Sequence, residues 1–369
     1  MRPAPVPVHA TAATALAAPA ASSGSMTLAS SPSKAGARQR RRRFFQVGFF
    51  ALFLLAPALN LLRFDLDDTQ LWVLGMRWTL GIDAFRAGQI SASDMALNIL
   101  LRAFLPAIVL IGTFLGVAWR WGRLYCGWLC PHFSLVETLN DILQRACGKL
   151  SLWDKHATTH GTRAPQARWW PVFAFSCALF GFLWAITLLT YLLPPAQIWG
   201  NLIHGTLTPN QARFLVIGSA VFTAEFAFAR HLFCRFGCAV GLFQSLVWMA
   251  NPKGMVVAFD RDNARDCRTC TTANSPQGSA CDNGCPMRLH PRNIKRMMFS
   301  CVQCGQCLDN CDDSQGAQAR EPLLEWKVGA DAIRETLRQR KQELAREAAL
   351  QSPQSPQPDA GPAVRQEKL

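Results

Sequence analysis

Residues 301–311 read CVQCGQCLDNC, and this run of four cysteines decides how the C-terminal third of the chain is organised. The spacing C-x-x-C-x-x-C-x-x-x-C brings three thiolates around one iron–sulfur cube and directs the fourth toward a second cluster. Gly305 lies between two of the cysteines and permits the tight turn that such a loop needs. The run therefore predicts iron–sulfur ligation.

A second set of cysteines lies upstream of this run. Cys267 and Cys270 form a C-x-x-C pair, and Cys281-x-x-x-Cys285-Pro286 follows after an insertion. The eight thiolates suffice for two [4Fe–4S] clusters. In the usual crossed arrangement one cluster is held by Cys267, Cys270, Cys281 and Cys311, and the other by Cys285, Cys301, Cys304 and Cys307. Zinc also accepts four thiolates in C-x-x-C pairs, but the C-x-x-C-x-x-C triplet favours cubes.

Two further cysteine pairs form an internal repeat. RLYCGWLCPHFSLVETL, residues 123–139, aligns with HLFCRFGCAVGLFQSL, residues 231–246. If each C-x-x-x-C is helical, its two thiols share one face. The repeat would then gather four sulfurs, from Cys126, Cys130, Cys234 and Cys238. Soft thiolates suit Cu(I) or a dithiol–disulfide couple. The alternative is that these cysteines are small packing residues, as buried free cysteines often are.

The composition indicates a membrane protein. Of 369 residues, 50% are hydrophobic and 17% charged, well below the ~25% charged residues of soluble domains. The net charge of +14 comes from basic residues that flank apolar runs, a topology signal and not a nucleic-acid face. Four runs predict transmembrane helices: Phe44–Leu62, Leu97–Trp119, Val172–Leu193 and Phe214–Ala229. Ala239–Ala250 is too short to span and is expected at the interface.

The distribution of basic residues predicts the orientation. Five arginines between Arg38 and Arg43 precede the first run, and Arg120–Pro171 is also basic, whereas Pro194–Ala212 has no Lys or Arg. Both termini and the cysteine-rich segment are therefore expected in the cytoplasm. The residues RRRRFF at 40–45 also resemble a twin-arginine signal, but the apolar run after them exceeds the usual 7–15-residue signal core, and three more runs follow.

Four regions follow from these patterns. Residues 1–43 are expected to be a disordered basic N-terminus, residues 44–250 the transmembrane domain with two C-x-x-x-C repeats, residues 251–328 the ferredoxin-like domain, and residues 329–369 a charged solvated helix with a disordered tail. Two lone residues leave alternatives open. Glu225 is either functional or reaches the interface, and His132 is either a metal ligand or proton carrier or a solvated loop residue. Cys147 and Cys177 are expected to be packing residues.

Several motifs resemble a known family. WGRLYCGWLCP at 121–131, FCRFGC at 233–238 followed by LFQS, VVAFD at 256–260 and the Cys-Asp ending of 301–312 resemble the membrane polyferredoxins that assist assembly of cbb3-type cytochrome c oxidases. The resemblance runs from about Arg40 to Asp313. It implies a bacterial inner-membrane protein with two [4Fe–4S] clusters that reduces Cu(II) to Cu(I). The polyferredoxin subunits of nitrate and nitrous-oxide reduction systems are more distantly similar and imply electron relay from quinol.

The expectation is thus an α-helical membrane protein with about four transmembrane helices and a small cytoplasmic α+β 2[4Fe–4S] ferredoxin-like domain. Electrons would enter at the clusters and reach Cys126, Cys130, Cys234 and Cys238, where copper is reduced as substrate. The expected partners are membrane lipid, a redox donor (quinol or a cytoplasmic reductase), and a respiratory oxidase or its assembly factors, with no nucleic acid. A quinol-linked relay subunit for a periplasmic reductase is the alternative.

Overall fold

The computed structural model describes residues 34–67, 70–149, 151–153, 165–270 and 279–351. Its helices are α1 Lys34–Leu55, α2 Ile82–Arg86, α3 Ala92–Ile99, α4 Leu105–Trp121, α5 Leu124–Trp128, α6 Pro131–Cys147, α7 Trp169–Leu192, α8 Pro195–His204, α9 Pro209–Ala224, α10 Ala239–Ala250, α11 Ala280–Asn283, α12 Gln306–Gly316 and α13 Ala330–Gln351. Its strands are β1 Leu62–Asp65, β2 Gln70–Val73, β3 Met76–Trp78, β4 Val256–Phe259 and β5 Leu324–Lys327. Most of the predicted disordered termini, residues 1–33 and 352–369, lie outside the described residues.

Three helices in the described part of the chain are long and apolar enough to cross a membrane: Ala92–Trp121, Trp169–Leu192 and Pro209–Ala229. They correspond to the second, third and fourth predicted runs. The first combines α3 and α4 through a π-helical turn, Leu100–Phe104, and the third extends α9 by a π-helical turn, Glu225–Ala229. The short apolar helix α10 has the predicted bounds. Mean hydropathy is highest in Trp169–Leu192, the run that has no charged residue.

The first predicted run, Phe44–Leu62, is wrong at its C-terminal end. The helix that contains it begins at Lys34 and ends at Leu55, so only about a dozen apolar residues follow its arginines, roughly 18 Å of helix. Pro57 cannot donate a backbone hydrogen bond and disfavours helical geometry in the residue before it. Leu62 instead begins a strand. For this reason α1 is not among the three apolar helices.

The C-terminal part of α1 nevertheless packs against α7 through aromatic side chains. Phe50 and Phe53 pack against Trp184, with ring centroids 6.2 and 4.9 Å away. Farther along, the Tyr191 hydroxyl near the C-terminus of α7 donates to the Phe53 carbonyl at 2.9 Å. At its other end, α1 contacts α12 in the cysteine-rich segment through Arg38 and Asp309. Helix α1 therefore connects the cysteine-rich segment to the opposite end of the helical bundle.

The segment after α1 contains a sheet that the sequence patterns did not predict. Strands β1, β2 and β3 form an antiparallel meander in that order. Leu74 and Gly75 join β2 to β3 and both have positive φ, 49° and 78°, as a two-residue type I′ turn requires. The Leu66 amide donates to the Leu192 carbonyl at 2.9 Å, so this sheet adjoins the C-terminal end of α7.

The cysteine-rich segment is built on a small two-stranded sheet. β4 pairs antiparallel with β5, Val256 opposite Lys327 and Phe259 opposite Leu324. Helices α11 and α12 lie between these strands in the sequence, and α13 follows them.

Helix α13 is the charged helix of the C-terminal region, and the expectation that it is merely solvated is wrong for one face. Glu335 and Gln339 are buried, and the Gln339 side chain accepts a hydrogen bond from the Lys295 amide at 3.2 Å.

A buried ion pair joins α1 to α6. Arg42, 3% exposed in its side chain, lies 2.7 Å from a Glu137 carboxylate oxygen, and a second bond of 2.8 Å makes the pair bidentate. Gln46 donates to the same carboxylate at 2.7 Å. The guanidinium also donates to the Gly127 carbonyl at 3.2 Å. Arg43, one residue later, is 70% exposed and only 4.0 Å from Asp141.

We expect Arg42→Ala to lower the free energy of unfolding by about 3–5 kcal/mol, because it leaves the Glu137 carboxylate without its charged partner in a water-poor site. Arg43→Ala, the matched control, should cost no more than about 0.5 kcal/mol because exposed pairs contribute little. Thermal unfolding in detergent measures both. Equal losses in the two variants would contradict the role given to the Arg42 pair.

His231 lies just beyond the last apolar helix and is 3% exposed. Burial, reinforced by the nearby charges of Arg230 and Arg235, lowers the pKa of His231 to about 4. Between about pH 6.5 and 4 the unfolded chain therefore binds a proton that the folded chain does not. The free energy of unfolding decreases as the pH is lowered across this window. This histidine is neutral in the folded protein at neutral pH.

Acidification from pH 7 to pH 5 should therefore remove about 2 kcal/mol of stability through His231 alone. His231→Gln keeps a polar side chain but does not titrate, so its unfolding midpoint should fall by correspondingly less between these pH values. Measuring both proteins by thermal unfolding isolates the contribution. An identical pH dependence in the two would show that His231 does not titrate differently on folding.

Candidate functional site

The two C-x-x-x-C repeats adopt the same local structure. Cys126 lies in α5 and Cys130 is the residue before α6. Cys234 lies in a π-helical turn, Phe233–Gly237, and Cys238 is the residue before α10. In each repeat the amide of the second cysteine donates to a carbonyl five residues earlier, Cys130 to Tyr125 at 2.9 Å and Cys238 to Phe233 at 2.8 Å. The repeat in the sequence is therefore also a repeat in the backbone.

This geometry corrects the premise that each pair shares one helical face. The second cysteine of each repeat has extended backbone angles, φ −61° and ψ 118° at Cys130 and φ −79° and ψ 106° at Cys238. Each is an N-cap residue and lies outside a continuous helix. Pro131 suits the first position of α6 because its missing amide hydrogen is not needed there. The wide turn between the cysteines replaces the i to i+4 helical spacing.

The four cysteines converge, and we refer to Cys126, Cys130, Cys234 and Cys238 as the surface thiol site. Cys126 and Cys234 are buried in one apolar cluster against which Cys130 packs, and electrostatic repulsion from Cys126 and Cys238 contributes to the raised pKa values of Cys130 and Cys234. The Cys126 Sγ donates to the Gln244 side-chain oxygen at 3.0 Å. The structure therefore makes the four cysteines of the repeat neighbours, although no three of these sulfurs are placed to hold one metal ion.

Burial favours the protonated form of three of these thiols, those of Cys126, Cys130 and Cys234, because it raises their pKa values. Burial raises the pKa of Cys130 to about 11, and Arg123 opposes the shift at Cys126. Arg123 is itself buried and donates to the Cys234 carbonyl at 2.7 Å. Only thiolates bind metal strongly, so metal binding here would release protons.

Four cysteines of the C-terminal segment line one small cavity. Cys285, Cys301, Cys304 and Cys307 surround about 20 Å³ of free space together with apolar side chains that include Met287, Met298 and Trp326. These are the four cysteines that the crossed spacing assigns to one cluster. Burial raises the pKa of Cys301 to about 12 and those of the other three as well. We refer to this space as the four-cysteine cavity.

The other four cysteines lie around α11 and α12. Cys281 and Cys311 are buried in one apolar cluster with Cys307, and Cys267 packs against it. The Cys270 sulfur accepts hydrogen bonds from the Ala280 amide at 3.3 Å and the Ser314 hydroxyl at 3.2 Å. Cys270 is thus held between the residue preceding Cys281 and a residue one turn after Cys311. Most of the insertion after Cys270, residues 271–278, lies outside the described residues.

The grouping of the eight cysteines agrees with the two sets of four that the spacing predicts. Four thiolates on one zinc ion at ~2.3 Å would lie within about 4 Å of one another. Within the described ranges no three Cys, His, Asp or Glu side chains converge in a way that would hold one metal ion. Backbone amides already point at sulfur, Leu289 to Cys285 at 3.4 Å and Leu323 to Cys311 at 3.3 Å, and such bonds tune cluster potentials.

The surface thiol site touches the four-cysteine cavity through the backbone. A methyl group added at Gly127, between Cys126 and Cys130, would lie 2.2 Å from the Val302 carbonyl oxygen and 3.3 Å from the Cys304 amide nitrogen. The Trp128 indole donates to the Gln303 carbonyl at 3.0 Å. The loop between Cys301 and Cys304 therefore packs directly on the loop between Cys126 and Cys130.

His132 and Glu225 lie beside each other near the surface thiol site. His132 is in α6 and its side chain is 15% exposed, as is that of Glu225, with Nε2 and Oε1 3.4 Å apart. Rings of Trp184, Phe226 and Phe233 surround the imidazole. The solvated-loop alternative for His132 is therefore wrong. Cys147 and Cys177 belong with α6 and α7 side chains to a separate apolar cluster, in agreement with a packing role.

Sequence patterns missed Arg123, Gln244 and Gly241, which shape the surface thiol site. A methyl group at Gly241 would lie 2.1 Å from an Arg123 guanidinium nitrogen, so a larger residue would displace that guanidinium. Gln244 lies within the quoted LFQS motif, and Arg123 within WGRLYC. The presence of Gln244 and Arg123 in those motifs is the only sequence feature that points to them. Their spacing does not predict contact with the cysteines.

Comparison with known proteins gives partial matches. Residues 103–149 match a family described as a 4Fe-4S binding domain, a segment that contains Cys126 and Cys130 but none of the cysteines from Cys267 to Cys311. The chain is 26% identical to Protein RdxA of Cereibacter sphaeroides over 52% of this chain and 41% of that protein. It is 22% identical to the putative electron transport protein YccM of Escherichia coli over 56% of this chain and 53% of that protein.

The chain thus aligns with about half or less of the length of these curated relatives. No solved structure matches this chain. The family match and the two relatives support an iron–sulfur electron-transfer role, and the three apolar helices support membrane association. These findings agree with the coarse part of the prediction from cysteine spacing and composition.

We expect Gly127→Ala to destabilise the protein by about 1–3 kcal/mol, because the added methyl group overpacks against the Val302 backbone, which cannot move as a flexible side chain can. Gly116→Ala is the matched control, since nothing lies within 4 Å of the methyl group it adds. Thermal unfolding measures both. An unperturbed Gly127→Ala protein would show that the two cysteine loops are not in close contact.

Proposed function

We propose that this chain carries single electrons from two [4Fe–4S] clusters to the surface thiol site, where Cu(II) is reduced to Cu(I). The observation that carries the proposal is the packing of Gly127 on the Val302–Cys304 backbone. It joins the loop that supplies Cys301 and Cys304 to the loop that supplies Cys126 and Cys130. Electron transfer between the two sites would need no diffusing carrier and no domain motion.

The C-terminal cysteines have the chemistry to hold both clusters. Cys285, Cys301, Cys304 and Cys307 would hold one in the four-cysteine cavity, and Cys267, Cys270, Cys281 and Cys311 the other. When bound, such clusters supply reversible one-electron storage. The chain's own residues exclude water, through Met287, Met298 and Trp326, and direct amides at the sulfurs. Cys307 contributes to both surroundings, since its sulfur lines the cavity and packs with Cys281 and Cys311.

The surface thiol site suits copper as substrate. Each Cu(II) accepts one electron, and the Cu(I) formed prefers soft sulfur ligands. Gln244 and Arg123 hold the sulfurs in place, Gln244 as the acceptor for Cys126 and Arg123 through the Cys234 carbonyl. Arg123 also favours the thiolate of Cys126. Protons released from the thiols on copper binding must leave to water.

The proposed setting is the bacterial inner membrane. We propose α1 as a fourth crossing, because its contacts extend from Asp309 at one end to Tyr191 at the other. Its apolar part, roughly 18 Å long, is shorter than the ~30 Å hydrocarbon layer, and local thinning of the bilayer would accommodate the difference. Together with Ala92–Trp121, Trp169–Leu192 and Pro209–Ala229, α1 places both termini and the cluster cysteines on one side. The arginines at the start of α1 make that side the cytoplasm. The respiratory oxidase or its assembly factors would receive the Cu(I).

A second function is favoured by the name of one relative, a putative electron transport protein. In that case the chain relays electrons from quinol to a periplasmic reductase and copper takes no part. Anaerobic membranes separate the two functions. If the chain is a relay, quinol reduces the clusters and added Cu(II) does not accelerate their reoxidation; if it is a cupric reductase, Cu(II) reoxidises them.

We expect the double variant Cys126→Ser, Cys130→Ser to lose at least about 100-fold in cupric reduction, because oxygen replaces two soft ligands at the acceptor site. Cluster absorption should remain. Cys177→Ser, a packing cysteine within a membrane helix, is the matched control and should retain activity. Stopped-flow reoxidation of the dithionite-reduced protein by Cu(II) measures the rate.

Retained cupric reduction in the double variant would contradict this role for the surface thiol site. Loss of iron from the double variant would contradict it as well, because that result would make Cys126 and Cys130 cluster ligands, as the family match over residues 103–149 allows.

A further inference from the structure

A polar groove lies between α1, α6 and the loops that carry the cluster cysteines. Its volume is about 480 Å³, and it is open to solvent. Asn283, Gly284 and Pro286 come from the stretch around Cys281 and Cys285, and Gln306 and Asn310 from the stretch around Cys307 and Cys311. The opposite wall is formed by Arg42, Arg43, Gln46, Ser134, Glu137, Asn140, Asp141 and Gln144. We refer to this space as the interfacial groove.

One buried amide in the groove points to a ligand. Asn140 is 4% exposed, lines the groove, and its side-chain oxygen is buried with no hydrogen-bond partner among the described residues. Leaving such an acceptor without a partner costs about 1–3 kcal/mol. A bound molecule that donates a hydrogen bond to this oxygen would recover that energy. Asn140 therefore marks the floor of a binding site.

The groove selects by charge and by hydrogen bonding. Its two arginines are matched by Glu137 and Asp141, so its side chains carry no net charge, which disfavours a strongly anionic ligand. Its remaining polar groups are mainly amides, which both donate and accept. A flat, neutral ring with alternating donors and acceptors along its edge fits this lining. The volume of about 480 Å³ also suits a small molecule, since ligand sites are usually ~300–1,000 Å³.

We infer that the interfacial groove binds the isoalloxazine ring of a flavin, which serves as the electron donor to the clusters. The donor role rests on the proposed function; the binding site does not. A nicotinamide passes a hydride, whereas a flavin can release its electrons one at a time. A reduced flavin carries two electrons and two protons. One electron would go to each of the two clusters, and both protons would leave through the open side of the groove.

The position of the groove supports this role. One wall includes residues adjacent to cysteines of both proposed clusters. On the opposite wall, Arg42 donates to the carbonyl of Gly127, which lies between Cys126 and Cys130. A ring seated on Asn140 would lie beside both sets of cysteines. A flavin in the groove would therefore lie between the loops that carry the cluster cysteines and the helix that contacts Gly127.

Binding is tested with the intact, cluster-loaded protein in detergent, titrated with riboflavin and with flavin mononucleotide while flavin fluorescence is followed. Saturable quenching with one flavin per chain and a dissociation constant in the micromolar range is expected. Asn140→Ala and Gln306→Ala should each weaken binding at least about tenfold, the loss expected for one or two hydrogen bonds in a dry site. Gln306 is only half-buried, so its variant tests the site if Asn140→Ala fails to fold.

Asn210→Ala, on an exposed turn at the start of α9, is the control and should bind as the unaltered protein does. Absence of saturable quenching would overturn the inference, as would equal affinities in Asn140→Ala, Gln306→Ala and Asn210→Ala. Saturable binding of a short-chain quinone that Asn140→Ala weakens, with no binding of either flavin, would also overturn it. A sample that binds flavin but lacks iron would refute the proposed function and leave the binding site intact.

Discussion

The close approach of two loops, at Gly127 and Val302, constrains most of this structure. Both loops are held in place: α5 and α6 flank one, and hydrogen bonds from Trp128 and Gln39 to the Gln303 and Cys304 carbonyls hold the other. Only glycine fits at 127, since any side chain would overlap the Val302 carbonyl. The contact fixes the distance between two sulfur-rich sites that lie far apart in the sequence. The rate of electron transfer falls steeply with distance, so the proposed transfer between the two sites depends on this packing.

Helix α1 holds that contact in register. Arg42 binds both the Glu137 carboxylate and the Gly127 carbonyl, while Gln39 donates to the Cys304 carbonyl at 3.2 Å and Arg38 pairs with Asp309. Helix α1 thus contacts α6, the loop between Cys126 and Cys130, and the loop between Cys301 and Cys304. Of the arginines used to predict orientation, Arg38 binds the cysteine-rich segment through Asp309 and Asp312.

Local spacing predicted which of the C-terminal cysteines lie together, whereas contacts between distant segments were beyond it. The crossed spacing grouped Cys285 with Cys301, Cys304 and Cys307, and these four line one cavity. The C-x-x-x-C repeat was visible, but its wide turn was not, because a five-residue hydrogen bond leaves no periodic signature. The apolar run continues past Pro57 to Leu62, so hydropathy alone did not show that α1 ends at Leu55. The β1–β3 sheet was missed because Leu62, its first residue, was assigned to that run. Gln244, Arg123 and the interfacial groove depend on tertiary packing alone.

The central claim is that sulfur in this chain holds two iron–sulfur cubes against a membrane-surface thiol site. Iron and acid-labile sulfide in protein purified without oxygen, combined with low-temperature electron paramagnetic resonance after dithionite reduction, test it most directly. The account predicts about eight iron and eight sulfide per chain, and a spectrum broadened by coupling between two neighbouring [4Fe–4S]⁺ centres. A colourless protein that contains zinc and no sulfide would contradict it.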